Sequence, residues 1–283
     1  MPTIVFFHAH PDDEASQTAG AMARAAAEGS RVVLVFATNG EHGEVPDDLG
    51  DGEKLVDRRR VEAMNSAAAL GVSRVEWLGY SDSGMTGWEQ NHHPGAFHSI
   101  DPTDAGLKLA AIFDREDADI VVGYDDHGGY GHPDHVQVHR VLHAAARLAA
   151  RRPRVLEATS NRDLTRGFYQ AALAAGMADL AFDPDSPMDD GLPFGTPEAE
   201  ITWQVDVSAY LAQRRRALEA HRSQQTDIDG MLALPEEVFA AAFGVEHYIE
   251  PGAEPGMRRG WPFAGELGGA VTAGRADPGD KPR

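Results

Sequence analysis

The chain has 283 residues, a formal net charge of −20 and no cysteine. This length is enough to bury a sizeable core in one α/β domain with additions, or in a large and a small domain. The acidic charge excludes a generic nucleic-acid or anionic-membrane binder, because phosphate recognition depends on clustered Lys and Arg. Without thiolates, any bound metal must be held by imidazole and carboxylate groups.

Apolar, β-branched runs alternate with longer stretches of helical period along the chain. This pattern predicts an α/β fold of Rossmann-like type, with a mostly parallel sheet and helices on both faces. The predicted strands are 3–8, 31–37, 74–79, 118–124, 155–158, 201–207 and 245–249. The predicted helices are 12–28, 54–70, 104–115, 133–150, 164–175, 208–222 and 235–243.

Composition divides the chain into three parts. We expect a Rossmann-like, metal-binding catalytic core over 1–160, a smaller α+β portion over 161–250 that completes the substrate pocket, and a Gly/Pro-rich, poorly packed tail over 251–283. The segment 182–197 has no period, which predicts an irregular excursion. No apolar run approaches a membrane span and no targeting segment is evident, so we expect a cytoplasmic protein without membrane insertion.

Two similar turns follow the first and fourth predicted strands: His10-Pro11-Asp12-Asp13 and His132-Pro133-Asp134-His135. Each places proline at a first helical position and acids in a first turn, so each alone is compatible with an ordinary helix start. In a doubly wound sheet, however, the fourth strand returns to the other side of the first, and the ligand crevice lies at their carboxyl ends. The two turns are therefore predicted to face one crevice.

The crevice would pool imidazole and carboxylate groups from both turns. Two imidazoles, one carboxylate and an open position form a common catalytic zinc site, and the candidate ligands are His10, Asp13 and His135. Asp12 then remains as a general base on the metal-bound water. His132 is left to stabilise charge on a reacting carbonyl or to protonate a leaving group.

Two rival interpretations are weaker. His135, His139 and His143 lie four residues apart on one helical face, yet Val136 follows His135, so the glutamate of a HExxH motif is missing. We interpret His139 and His143 as packing or surface residues. A dinucleotide-binding oxidoreductase would need a glycine-rich turn after the first strand, where this chain has acids that would repel a pyrophosphate.

The segments HAHPDDE and GYGHPDHV resemble motifs of the PIG-L (LmbE-like) superfamily. This superfamily includes the N-acetylglucosaminyl-phosphatidylinositol de-N-acetylase, the bacterial mycothiol-pathway deacetylase and the mycothiol S-conjugate amidase. Supporting segments are TNGEHGEV, LGYSDSGM and AHRSQ, and the resemblance runs to about Glu250. It implies a metal-dependent hydrolase that removes an acyl group from an amino sugar, normally with zinc; iron(II) suits the same ligands.

Carried over to this chain, the resemblance assigns a role to each of nine residues. It implies the metal ligands His10, Asp13 and His135 and the general base Asp12. It implies that His132, oriented by Asp134, assists the oxyanion or the leaving amine, and that Tyr130 contacts the tetrahedral intermediate. Arg59 and Asp82 match positions that hold the sugar and its aglycone.

We expect a small-molecule amino-sugar substrate and no nucleic-acid partner; the sequence carries no signal for the oligomeric state. Two alternatives stay open. An amidase acting on a mycothiol-type thiol conjugate is disfavoured by Gln17, because that enzyme typically carries lysine after its HPDDESS motif. A sugar-binding module that has lost catalysis predicts damage to the base or ligands, and all of these residues are present.

Overall fold

The computed structural model describes residues 1–176, 182–188, 190–254 and 256–264. Its strands are β1 (Thr3–His8), β2 (Arg31–Phe36), β3 (Arg74–Trp77), β4 (Ile120–Tyr124), β5 (Arg154–Thr159), β6 (Trp203–Asp206), β7 (Val245–Ile249) and β8 (Arg258–Arg259). Its α-helices are α1 (Ala19–Ala27), α2 (Leu55–Leu70), α3 (Pro102–Glu116), α4 (Pro133–Leu148), α5 (Arg162–Ala174), α6 (Leu211–Ala220), α7 (Gln225–Leu232) and α8 (Glu236–Phe243).

The eight strands form one sheet in the order β3-β2-β1-β4-β5-β7-β6-β8. β1 pairs in parallel with β2 on one side and with β4 on the other, so the strand order reverses between β1 and β4. β7 is antiparallel to both of its neighbours, and every other pairing between the described strands is parallel. The predicted α/β fold is confirmed, including the point where its strand order reverses.

β1 shows how the sheet is buried on both faces. Side chains alternate across a strand, so Ile4 and Phe6 pack on the face that carries α1 and α6, while Val5 and Phe7 pack on the face that carries α3 and α4. A strand covered on both faces carries an unbroken apolar run, as β1 does over residues 4–7. Burial of its apolar part therefore forces the polar residues that follow to collect at its carboxyl end.

The structure differs from the predicted elements in three places. The helix predicted over 12–28 begins as a π-helical stretch, Glu14–Thr18, before α1. α7 and the two-residue β8 were not predicted, because eight and two residues are too short for a clear period. The irregular excursion is confirmed in that no helix or strand is assigned within 182–188 or 190–197.

The prediction of a poorly packed tail is wrong for its first part. Arg258 pairs with Trp203 at the sheet edge, and Phe263 is buried against Phe6 and Tyr248. The prediction rested on the high content of glycine and proline in this segment. Overall composition does not reveal that one aromatic residue, Phe263, packs into the core. The remainder, 265–283, lies outside the described residues. None of the described helices combines the length and the apolar character needed to cross a bilayer.

Candidate metal centre and active site

The predicted ligand triad comes together at the carboxyl ends of β1 and β4. His10 Nδ1 lies 3.5 Å from Asp13 Oδ2, and His135 Nε2 lies 3.3 Å from Asp13 Oδ1. The Asp13 carboxylate therefore faces one imidazole nitrogen with each of its oxygens. All three residues are buried. Burial alone would raise the pKa of Asp13, but the two histidines hold it well below its usual range.

The hydrogen bonds behind the two histidines decide which nitrogens are free. His135 Nδ1 lies 3.2 Å from the carbonyl oxygen of Gly128, whereas His135 Nε2 is buried and has no hydrogen-bond partner among the described residues. His10 Nε2 lies 3.2 Å from Asp134 Oδ2 and 3.5 Å from Asp82 Oδ1. Each ring thus directs one nitrogen to an outer acceptor and the other toward the shared carboxylate, as metal-binding histidines do.

Gly128 is needed for this arrangement. Its backbone has φ of +63°, and a Cβ there would lie 2.4 Å from Cβ of His135. Only glycine permits so close an approach at a positive φ without strain.

The candidate ligands His10, Asp13 and His135 offer two imidazole nitrogens and one carboxylate. This donor set fits a divalent ion such as zinc or iron(II).

His132 is a third imidazole beside the triad, with its ring centroid 5.0 Å from that of His135. One nitrogen from each of His10, His132 and His135 lies within 4.8 Å of the other two. His132 Nδ1, however, accepts a hydrogen bond of 3.1 Å from the backbone N–H of Asp134 and caps α4. A neutral His132 then carries its proton on Nε2, which makes it a donor. Burial and the neighbouring histidines lower the pKa of His132 to about 2, so it is neutral at physiological pH.

Asp12 has an unusual backbone with φ of +110°, a region that non-glycine residues rarely adopt. Its backbone N–H donates to Glu14 Oε2 at 3.0 Å. The other oxygen of Glu14 accepts hydrogen bonds from Ser66 Oγ and from His221 Nε2, the latter at 2.6 Å. This buried Glu14–His221 pair holds the strained turn, and strain of this kind clusters at functional sites.

The Asp12 side chain lines the cavity and pairs with Arg59. Arg59 Nη2 donates to Asp12 Oδ2 at 2.8 Å. Burial raises the pKa of Asp12 to about 6, and Arg59 opposes that rise. The carboxylate is therefore poised to accept a proton close to neutral pH, which suits a general base.

Asp134 orients its neighbours in a different way from the predicted one. Its carboxylate accepts from the backbone N–H of Ser83 at 2.9 Å, from Ser83 Oγ and from His10 Nε2. Its backbone N–H, and not its carboxylate, donates to His132. Asp134 therefore contacts the ring of a candidate metal ligand through its side chain and donates to the His132 ring through its main chain.

Tyr130, Arg59 and Asp82 line the same cavity of about 160 Å³ as His10, Asp12 and Asp13. Burial raises the pKa of Tyr130 well above its usual range, so its hydroxyl stays protonated and can donate. Arg59 is buried and also donates to the carbonyl oxygens of Gly40 and Pro11. Burial would raise the pKa of Asp82, but His10 and nearby backbone N–H groups lower it below its usual range.

Sequence reasoning missed the role of two residues at this site. Glu14 and His221 stand out in the sequence only as members of the HAHPDDE and AHRSQ segments, yet together they fix the Asp12 backbone. The ion pair joins residues 207 positions apart, and no local pattern reveals such a contact. The available signal was a glutamate one turn after a buried strand, since a buried carboxylate requires a partner.

The sequence profile of the PIG-L family, described as GlcNAc-PI de-N-acetylase, matches residues 5–146. The chain belongs to the PIG-L family. A relative from Saccharomonospora viridis, named 1D-myo-inositol 2-acetamido-2-deoxy-alpha-D-glucopyranoside deacetylase, is 42% identical over 234 residues, covering 79% of this chain and 85% of the relative. The predicted family is confirmed by these two matches.

Solved structures support the fold. A conserved protein from Thermus thermophilus superposes with a TM-score of 0.56 at 21% identity, covering 89% of this chain and 95% of the other. GalB from Pseudomonas putida, titled a 4-carboxy-2-hydroxymuconate hydratase, superposes with a TM-score of 0.55 at 18% identity, covering 90% and 98%. The same fold thus carries a hydratase, so the reaction must be argued from the site.

Proposed function

We propose that the protein is a metal-dependent hydrolase that removes the N-acetyl group from an N-acetylglucosamine-type substrate. It is an enzyme that acts on amide bonds, in line with the deacetylases among its relatives. The observation that carries the proposal is the Asp13 carboxylate facing one nitrogen of His10 and one of His135, with the Asp12 carboxylate in the same cavity. The relatives are named as deacetylases of an inositol-linked 2-acetamido-2-deoxyglucose, which supports an N-acetylglucosamine-type sugar as the substrate.

His10, Asp13 and His135 would hold the metal, with zinc as the proposed ion and iron(II) as the alternative. A divalent ion in this position supplies Lewis acidity and lowers the pKa of bound water toward neutrality. Asp12 takes one proton from the attacking water as the oxygen bonds to the amide carbon. The same proton then passes to the amide nitrogen, so that the C–N bond breaks into an amine and acetic acid, which then loses the second proton of the water and becomes acetate.

His132 and Tyr130 act on the charge that develops on the carbonyl oxygen. His132 is neutral with its proton on Nε2, and Tyr130 keeps its hydroxyl proton, so both can donate to an oxyanion. Donors that are fixed before the reaction stabilise such charge most effectively. We propose that Arg59 and Asp82 bind the sugar or its aglycone, since both line the cavity; Asp134 positions His10.

Gln17 bears on the choice of acyl group. Its Nε2 lies 3.5 Å from Asp13 Oδ1, so a neutral amide stands beside the proposed metal ligand. The lysine typical of a thiol-conjugate amidase would place a cation there. The arrangement therefore favours deacetylation over cleavage of a thiol conjugate.

Deacetylation of a panel of N-acetylglucosamine derivatives, including the inositol-linked sugar and a thiol conjugate, tests the proposal. We expect amine release that is lost after chelation and restored by zinc, with the acetyl sugars ahead of the thiol conjugate. Faster cleavage of the thiol conjugate would support the amidase instead. No release from any substrate by metal-loaded protein would support a binding module without catalysis.

A further inference from the structure

A second group of metal-ligand atoms lies on the side of α4, outside the cavity described above. It consists of His139 and His143, one helical turn apart, and Glu157 on β5. One nitrogen of each histidine and one oxygen of Glu157 lie within 4.8 Å of one another. None of the three residues lines the catalytic cavity.

The two imidazoles converge on a single carboxylate oxygen. His143 Nε2 lies 2.6 Å and His139 Nδ1 lies 3.5 Å from Glu157 Oε1, and the two rings are 4.6 Å apart. Two ligands bound to zinc at about 2.1 Å in tetrahedral geometry are roughly 3.3 Å apart. The separation between His143 Nε2 and Glu157 Oε1 is shorter than that value, and one ligand atom from each of the three residues lies within 4.8 Å of the others, so side-chain adjustments bring the three groups onto one ion.

The charge around Glu157 also suits a cation. Its side chain is only 9% exposed, and within the described ranges histidines are its only ion-pair partners. No Arg or Lys within those ranges forms an ion pair with this carboxylate, and buried charges are usually paired with an opposite charge or bound to metal. A divalent ion would neutralise the carboxylate and use both imidazoles.

The group is open to solvent, unlike the catalytic triad. The His139 and His143 side chains are 22% and 23% exposed, so an ion can enter from solvent and keep water in its remaining positions. His139 Nδ1 also lies 3.2 Å from the carbonyl oxygen of Tyr124. A ring that donates from Nδ1 to this carbonyl keeps its lone pair on Nε2, so His139 would bind the ion through Nε2, with the carbonyl as the outer contact typical of metal-binding histidines.

We propose that His139, His143 and Glu157 form a second site for a divalent transition-metal ion such as zinc, which ties α4 to β5. The site is independent of the proposed function, because it does not use the catalytic residues. Histidine pairs four residues apart on one helical face, joined by a carboxylate, suit zinc better than calcium or magnesium, which prefer oxygen ligands.

Zinc stoichiometry tests the proposal without an activity assay. Protein stripped by a chelator and dialysed against zinc should bind two ions per chain in the wild type. We expect one ion per chain in His143→Gln, one in His135→Gln and none in the double variant. His92→Gln, which changes an exposed loop histidine outside both groups, should still bind two.

A second readout covers variants that fold poorly. Zinc added to protein that already holds one ion should raise the thermal midpoint of the wild type, since a ligand that binds the folded state stabilises it. Glu157→Gln should lose that increase. One ion per chain in the wild type that His143→Gln retains, or two ions in both His143→Gln and Glu157→Gln, would overturn the proposal. Failure of the catalytic site would instead appear as one ion in the wild type that His135→Gln retains.

Discussion

The helix α4 contributes histidines to two groups: His135 belongs to the candidate catalytic group, and His139 and His143 belong to the group with Glu157. The two groups differ in burial and in the residues around them. At the start of α4, His135 is fully buried and shares Asp13 with His10. One and two turns further along, His139 and His143 are partly exposed, and both lie close to the carboxylate of Glu157. The residue types are nearly the same in both groups. Only the first lies at the carboxyl ends of β1 and β4, where the backbone supplies a cavity and a neighbouring base.

The comparison shows that side chains able to bind a metal ion are not by themselves sufficient for catalysis. A metal site needs converging donors, which both groups supply. An amide hydrolase also needs a base, donors for an oxyanion and room for substrate, and these surround only the first group. Substitutions that affect one group and spare the other sharpen this distinction.

The largest effect is expected for Asp13→Asn. Loss of the charge shared by His10 and His135 should abolish metal retention at the catalytic group and bring turnover below detection, because the water is no longer activated. Metal analysis and amine release measure the two losses. Asp57→Asn, which removes a carboxylate from the exposed face of α2, should leave both unchanged. Full turnover in Asp13→Asn would remove Asp13 from the ligand set.

Asp12→Asn should lower kcat by about 10² to 10⁴, the usual contribution of a general base. Metal content should stay near that of the wild type, because the Asp12 side chain contacts Arg59 and not the donor atoms of the triad. Steady-state kinetics on metal-analysed protein provide the measurement. A kcat within a fewfold of the wild type would eliminate Asp12 as the base.

His221→Asn should lower both turnover and stability. It leaves the buried Glu14 carboxylate without its cationic partner, and breaking a buried pair costs about 3–5 kcal/mol. The freed Glu14 would also hold the strained Asp12 turn less firmly. Denaturant unfolding and kinetics with saturating zinc measure the two effects. Unchanged kcat with normal metal content would show that the pair supports the fold alone.

The stability loss of His221→Asn should depend on pH. Burial by itself would lower the pKa of His221, but Glu14 raises it above the ordinary value of 6.5. The contribution of His221 to the free energy of unfolding is therefore full below pH 6.5 and is lost as pH rises through the raised pKa. His221 in turn lowers the pKa of Glu14, whose contribution is full above 4.5 and is lost as pH falls through the lowered value. The difference between wild type and variant should therefore be largest between pH 4.5 and 6.5. A difference independent of pH would argue against an ion pair.

The smallest effect is expected for Arg59→Gln, as a shift in the pH profile. Asp12 must be deprotonated to act as a base, so kcat/KM, which reports the free enzyme, should fall as pH drops through about 6. Arg59 lowers the pKa of Asp12, and its removal should move this acidic limb to higher pH. Profiles of kcat/KM for both proteins give the measurement. An acidic limb that stays in place or moves to lower pH would separate Arg59 from the titration of Asp12.

Much of the fold followed from the sequence because its signals are local. The run Ile4–Phe7 is apolar at each position, which is typical of a strand buried on both faces. The paired HPD turns then located the ligand group, since the carboxyl ends of β1 and β4 must meet. The short α7 and the anchor Phe263 were not predicted, because a helix of eight residues is too short for a clear period and a single aromatic has none.

The sequence by itself determined the sheet order around β1, the candidate ligand residues and the family, because the buried strand and the two turns are each formed by consecutive residues. The tertiary structure alone decided which imidazole nitrogen is free, how Glu14 meets His221 across the chain, and that His139 and His143 share Glu157. These features depend on hydrogen bonds between distant elements. Their geometry is set by packing, which no short stretch of sequence encodes.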